Sequence, residues 1–169
     1  MVPSETFAST DFDSVMRDHA GLFARIARSF EANEQNREDL LQDILLAVWR
    51  ALPSFRQQSS VRTFVASVAH KCAVSHVRVH SRRTVTTEFK DDVADDKPRQ
   101  DDEAIQNDLR RKLTSILATL PEAQRETAVL LLEGFAYSEI AVILGISINA
   151  ATLRCQRARA YLLESMKEA

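Results

Sequence analysis

The stretch LPEAQRETAVLLLEGFAYSEIAVILGISINAATLRCQRAR, from Leu120 to Arg159, constrains the fold more than any other part of this chain. An apolar run of Ile140, Ala141, Ile143 and Leu144 stops at Gly145, a residue able to take the left-handed conformation that ends a helix. Two positions later Ser147 is placed to cap a new helix. From there Ile148, Ala151, Cys155, Ala158 and Leu162 recur at helical spacing and are expected to face a core. Asn149, Ala150, Thr152, Leu153, Arg154, Gln156, Arg157 and Arg159 then look outward, and no acid falls between Ser147 and Arg159. A helix-turn-helix with a basic second helix is a geometry that lays a helix in the major groove of DNA. An antiparallel helical pair with a solvated basic face shares this pattern, so the choice rests on the remainder of the chain.

With 3 Gly and 4 Pro in 169 residues there is little punctuation, and strand-like alternation is scarce, so an all-α architecture of one or two small domains is expected. The net charge of -2 conceals an uneven distribution. Arg56, Arg62, Lys71, Arg78, Arg82 and Arg83 lie in a segment without acids, whereas Glu88 to Glu103 holds eight acids against three bases. Two basic surfaces are thus joined by an acidic strap. Cys72 and Cys155 fall in different helical segments and fit reduced thiols in a cytoplasm better than a disulfide framework. No apolar run approaches the ~20 residues of a membrane span, and the N-terminus lacks the order of a signal peptide, so no membrane insertion is expected.

The first lobe, residues 11–83, reads as three helices. Phe12, Val15, Met16, His19, Leu22, Phe23, Ile26 and Phe30 form one apolar stripe, with Thr10 or Asp11 as its cap, and the polar break EANEQN ends it. A second helix is expected from about Arg37 to Leu52, stopped by Pro53, with Leu40, Leu41, Ile44, Leu45 and Val48 inward. Its outward side carries Asp39, Gln42, Asp43, Leu46 and Arg50, with Trp49 at the margin. An exposed leucine among carboxylates beside a tryptophan has the look of a docking surface, although single exposed leucines are common on solvated faces.

After the loop SFRQQSS a third helix is expected from about Val61 to Val79, with Val61, Phe64, Val65, Val68, Cys72 and Val79 inward. Lys71, Ser75, Arg78 and Arg82 share an outer stripe suited to phosphates, because cationic side chains gain affinity by releasing counterions. The loop and Phe64 offer a stacking surface for an unpaired base, set against a core role for that ring. Cys72, His76 and His80 stand at i, i+4 and i+8, but the outer two are ~12 Å apart along a helix, so no metal site is expected. His76 reads as half-buried beside the core stripe, and His70 and His80 as exposed donors near phosphate.

Taken together, these segments resemble the extracytoplasmic-function (group IV) sigma factors of bacterial RNA polymerase. REDLLQDILLAVWRALPSFR, Arg37 to Arg56, is similar to the region 2 helix that binds the β′ clamp coiled coil. SSVRTFVASVAHKCAVSHVR, Ser59 to Arg78, resembles the part that reads and melts the minus-ten element, and Leu120 to Arg159 resembles region 4, which reads the minus-thirty-five element and binds the β flap. The resemblance covers nearly everything except the first ten residues and the linker. It implies polymerase contacts from Asp39, Gln42, Asp43, Leu46, Trp49 and Arg50. It implies minus-ten contacts from Arg56, Arg62, Phe64, Lys71, Ser75, Arg78, Arg82 and Arg83. Minus-thirty-five contacts then fall to Asn149, Ala150, Thr152, Leu153, Arg154, Gln156 and Arg157.

Departures from the family pattern matter for specificity. Phe64, Lys71 and Ser75 stand where the family often has Trp, Asn and Asp. Ala136 replaces the usual Ser or Thr cap, a change expected to cost ~1 kcal/mol. Ala150, Thr152 and Leu153 replace frequent Thr, Lys and Ser, which removes polar base readers and offers a leucine suited to the thymine methyl.

The expected layout is therefore a disordered N-terminus (1–10), a region 2-like domain (11–83), an acidic flexible linker (84–104) and a region 4-like domain (105–169). Extended at ~3.3 Å per residue, the linker reaches ~70 Å, similar to two turns of duplex at ~35 Å each. The partners this implies are core RNA polymerase, promoter DNA and, as a further candidate, an anti-sigma factor. No enzyme activity and no cofactor are expected, because there is no Gly-rich phosphate loop, carboxylate pair or nucleophile-base arrangement. The competing reading is a stand-alone helix-turn-helix regulator that binds duplex DNA as a dimer, for which the Asp39 to Arg50 face and the basic third helix would be superfluous.

Overall fold

The computed structural model describes residues 12–81 and 101–168, with the side chains of 12–79, 108–109 and 111–167. The N-terminal segment, Arg82, Arg83 and the linker as far as residue 100 lie outside the described residues. Among those residues every regular element is helical: α1 Phe12–Phe30, α2 Glu34–Ala51, α3 Val61–Ser81, α4 Asp101–Thr119, α5 Glu122–Leu132, α6 Tyr137–Leu144 and α7 Ile148–Glu168. Helix α4 thus takes up the last four positions of the expected linker.

Local chemistry accounts for the boundaries. The Asn33 side chain accepts the Asn36 N–H at 3.1 Å, so α2 begins at Glu34, three residues before the expected start. At its other end Pro53 lacks an N–H and sits in a short 3-10 turn, Leu52–Ser54. Helices α1 and α2 bury the expected stripes, with Leu22, Phe23, Ile26, Leu40, Ile44 and Val48 all in the core.

Helix α3 departs from expectation because it is covered from two sides. Val65, Ala69 and Ala73 are buried on the side of α1 and α2, while Thr63, Ser67 and His70 are buried on the side of the second lobe. His70 is therefore no exposed phosphate donor; its Nε2 lies 3.0 Å from Glu126 Oε2 of α5. His76 is buried, not half-buried, and Val79, expected inward, is exposed on the rim of a groove between α2 and α3.

In the second lobe Ile116, Leu120, Ala128, Ala158 and Leu162 form a small core that joins α4, α5 and α7. Gly145 takes φ 65°, and the Ile146 N–H reaches back to the Ala141 carbonyl at 3.0 Å, closing α6. Ser147 Oγ accepts the Ala150 N–H at 3.2 Å and opens α7, whose axis is turned 110° from that of α6. Ala151, Cys155, Ala158 and Leu162 are buried as their spacing predicts. Ile148, expected with them, is exposed because it occupies the first turn, ahead of the part of α7 that its neighbours cover.

The two lobes are not held apart. A single apolar cluster runs from Phe23, Ile44 and Val65 to Phe135, Ile140 and Cys155, with α3 against α6 and α1 against α5. No single helix among the described residues is long and apolar enough to cross a membrane. A Cβ at Gly145 would meet nothing within 4 Å, so only its conformation opposes substitution. Gly145→Ala is expected to cost about 1 to 2 kcal/mol and Ser147→Ala about 1 kcal/mol, read as shifts in the urea unfolding midpoint.

Candidate nucleic-acid interface and docking face

Burial of Leu40, Ile44 and Val48 turns the opposite face of α2 to solvent. Asp39, Gln42, Asp43 and Arg50 are exposed there, and between them Leu46 and Trp49 leave 43% and 57% of their surface open. All six candidate docking residues thus share one face. Among the described residues Leu46 and Trp49 form an open apolar patch framed by Asp39 and Asp43. Asp43 also accepts a hydrogen bond from His76 Nδ1 at 3.1 Å, and His76 Nε2 lies 3.7 Å from Glu31, so this face is tied to α3 through a buried imidazole.

The minus-ten candidates separate into groups. Lys71, Ser75 and Arg78 lie on one exposed stripe of α3. Lys71 and Ser75 border an open groove of about 530 Å³ whose wall includes Asp43, Val68, Cys72 and Val79. Burial and the Asp43 carboxylate push the Cys72 thiol up, which keeps it protonated. Arg56 is exposed in the loop before α3, where Gln57 takes φ 57°. Phe64 is partly buried and stacks at a tilt 5.0 Å from Phe55, packed against the core as well as open on one side. Arg62 is the exception: its guanidinium lies 4.1 Å from the centroid of the Phe135 ring and donates to the Glu133 carbonyl. The second lobe occupies it. Arg82 and Arg83 lie outside the described residues.

On α7, Asn149, Leu153, Gln156 and Arg157 form the open face, with Leu153 47% exposed, while Ala150, Thr152 and Arg154 flank it half-buried. Thr152 Oγ1 donates to the Ile148 carbonyl at 2.8 Å, so its proton is held within the helix and its oxygen is left as an acceptor. All seven residues therefore surround one surface, reached from the turn that Gly145 and Ser147 fix.

Three comparisons bear on this arrangement. The sigma-70 region 2 family matches residues 15–83, and the sigma-70 region 4 family matches residues 110–162. The RNA polymerase sigma factor CarQ of Myxococcus xanthus is 30% identical over 166 residues, covering 95% of this chain and 92% of that protein. The chain belongs to the extracytoplasmic-function group of the sigma-70 family. A probable RNA polymerase sigma factor, RfaY of Xanthomonas campestris pv. campestris, is 30% identical over 128 residues; they make up 73% of this chain and 32% of that longer protein. The sigma factor RpoE of Bartonella quintana, solved in complex with the anti-sigma factor NepR, superposes with a TM-score of 0.74 at 26% identity, covering 93% of this chain and 97% of that one. The region 2 match takes in α1 to α3 from residue 15 onward, the region 4 match runs from within α4 into α7, and sigma factors are not an enzyme class.

The residues that join regions 2 and 4 escape a reading of helical periodicity. Glu133 closes α5 and accepts from Arg25 Nη2 of α1 at 2.9 Å, with Arg62 of α3 3.5 Å from the same carboxylate oxygen. Its sequence signal is electrostatic: an acid at a helix C-terminus, followed by Gly134 at φ 80°, opposes the helix dipole and calls for cations from elsewhere. Glu139 has two roles as well. One oxygen accepts the Ala136 N–H at 2.8 Å and the other the Thr63 hydroxyl at 2.7 Å. Half of a capping box thus survives the loss of the usual Ser or Thr at position 136.

These bonds lower the Glu139 pKa, the Ala136 N–H first and the Thr63 hydroxyl second. A depressed carboxyl pKa gives stability that is present above the ordinary value of 4.5 and lost as pH falls through the folded value. Glu139→Gln keeps the acceptor without the charge. The expected outcome is a urea midpoint that falls less steeply below pH 4.5 in Glu139→Gln than in the parent.

Proposed function

We propose that the chain docks on core RNA polymerase through the Asp39 to Arg50 face of α2 and directs initiation from two promoter elements. Lys71, Ser75 and Arg78 of α3, with Arg56, Phe64 and the preceding loop, engage the minus-ten element and hold unpaired bases; Arg62 joins them once region 4 releases it. The open face of α7 enters the major groove at the minus-thirty-five element. The observation that carries this reading is the pair Leu46 and Trp49, left open among Asp39, Asp43 and Arg50 on the side of α2 that faces away from the core. A stand-alone duplex-binding regulator has no use for that face.

The mechanism is one of position. Binding energy to polymerase places two DNA-reading surfaces, and capture of unpaired non-template bases makes strand opening favourable. The protein supplies no catalytic chemistry of its own and acts in the cytoplasm, where the polymerase is. An anti-sigma protein is a further partner, by analogy with the one bound to the Bartonella protein. Run-off transcription with core polymerase and a promoter library tests the whole reading, and absence of promoter-dependent transcripts contradicts it.

The same faces generate two finer predictions. Asp39→Arg and Leu46→Glu each put the wrong charge, or a desolvated one, on the docking face, and each is expected to weaken core binding by ~1 to 3 kcal/mol. Equal affinity in both variants rejects the face. At α7, Leu153→Ser removes an apolar contact for the thymine methyl and is expected to shift preference at one upstream position by ~1 kcal/mol. Arg157→Ala weakens all upstream sequences alike. Selection of preferred sequences by each holoenzyme distinguishes the two effects, and an unchanged set for Leu153→Ser assigns that residue to packing.

A further inference from the structure

Two carboxylates frame the open pair Leu46 and Trp49 on α2, and they are held differently. Asp39 makes no ion pair or side-chain hydrogen bond among the described residues. Asp43, one helical turn further on and with 58% of its side chain open, accepts a hydrogen bond from His76 Nδ1 of α3 at 3.1 Å. The His76 side chain is 4% exposed, and its Nε2 lies 3.7 Å from Glu31, the residue that follows α1. Packing therefore fixes the imidazole before Asp43 is bound to it. An ion pair between two mobile surface groups gains little, because both side chains have to be ordered. A donor already ordered by burial removes one side of that cost, and a charged acceptor makes the bond stronger than a neutral one would.

A second cation stands on the same groove. Asp43, Lys71, Cys72, Ser75 and His76 line it together, and the Asp43 carboxylate is near enough to Cys72 to help push its thiol up. Lys71 is exposed and makes no ion pair among the described residues, so its ammonium is open to phosphate along the stripe it shares with Ser75. Without the imidazole, this flexible lysine is the cation across the groove to which Asp43 would turn. That pairing would draw a docking carboxylate inward and neutralise a cation on the DNA face. One hydrogen bond from His76 prevents both.

We propose that His76 is a positioning residue for polymerase docking: it holds one oxygen of Asp43, leaves the other open on the docking face for a cationic side chain of the polymerase, and keeps the carboxylate away from Lys71. The inference rests on the docking face assigned above and adds to it a buried group that touches neither polymerase nor DNA. Its effect on binding is one of preorganisation. A carboxylate already held in place has less freedom to lose on docking, so loss of the imidazole donor is expected to weaken core binding about fivefold.

The test is equilibrium binding of the full chain to purified core polymerase. His76→Leu fills the buried space without a donor; it is expected to weaken core binding about fivefold in the parent and to have no such effect in an Asp43→Ala background, because His76 acts through Asp43. Adding Lys71→Ala to His76→Leu is expected to recover part of the loss, since the competing cation is gone. His76→Asn, whose amide nitrogen falls near the position of Nδ1, is expected to keep parental affinity, whereas His76→Gln, whose amide falls near Nε2, is expected to lose it. An equal loss for His76→Leu with and without Asp43 makes His76 structural only and overturns the proposal, as does unchanged affinity. Failure of Lys71→Ala to recover binding overturns the separation of the two charges. If His76→Leu fails to fold, the contrast between His76→Asn and His76→Gln decides alone, and equal affinities overturn the proposal. A parent chain that does not bind core polymerase at all contradicts the functional reading itself. Nitrogen NMR of the His76 ring, in the parent against Asp43→Ala, then decides the hydrogen bond independently, and an unchanged ring signal overturns it.

Discussion

Helix α3 is the element on which the rest of the molecule depends, because it has to be buried twice. One side, through Val65, Ala69 and Ala73, completes the core of region 2. The other, through Thr63, Ser67 and His70, is covered by region 4. Small and hydroxylated side chains on that second side admit a neighbouring helix, and the polar groups they bring have to find partners as they lose water. Glu139 and Glu126 supply those partners for Thr63 and His70. What remains open on α3 is a narrow stripe with Lys71, Ser75 and Arg78, and its orientation follows from the two buried sides.

The same double burial explains which parts of the architecture are legible in the amino-acid sequence. Helices covered from one side announce themselves: Val15, Leu22, Phe23 and Ile26, with Met16 and Phe30 partly buried beside them, and the set Leu40, Ile44 and Val48 lie where periodicity puts them. The Gly145 and Ser147 turn is equally readable, since a left-handed residue and a cap are local chemistry. Helix α3 is legible only in part, because a helix buried on two sides has no single stripe, and periodicity then places His70 outside and Val79 inside. Ile148 is misplaced for a different reason. Its spacing is right, but it lies in a first turn that the neighbouring helices do not reach.

The candidate site divides along the same line. Faces built on one helix, α2 for docking and α7 for the upstream element, hold their expected residues together on one surface. The minus-ten set does not stay whole, because Arg62 has been drawn across the seam by Glu133 and Phe135. Periodicity within one helix carries no information about such a partner, which lies 71 positions away in the chain. Its one trace in the sequence is an acid at the end of α5, unfavourable by itself and stabilised by Arg25 and Arg62 of the first lobe. Under the proposed function that surface serves two purposes, binding nucleic acid and packing on the second lobe.

On this account the lobes, packed together in the free chain, separate to serve two promoter elements. Donor and acceptor dyes on the exposed faces of α1 and α7, compared in the free chain and in the holoenzyme on promoter DNA, measure this directly. The account predicts high transfer in the free chain and a separation approaching ~70 Å on the promoter. Equal transfer in the two states, with transcription intact, would contradict it.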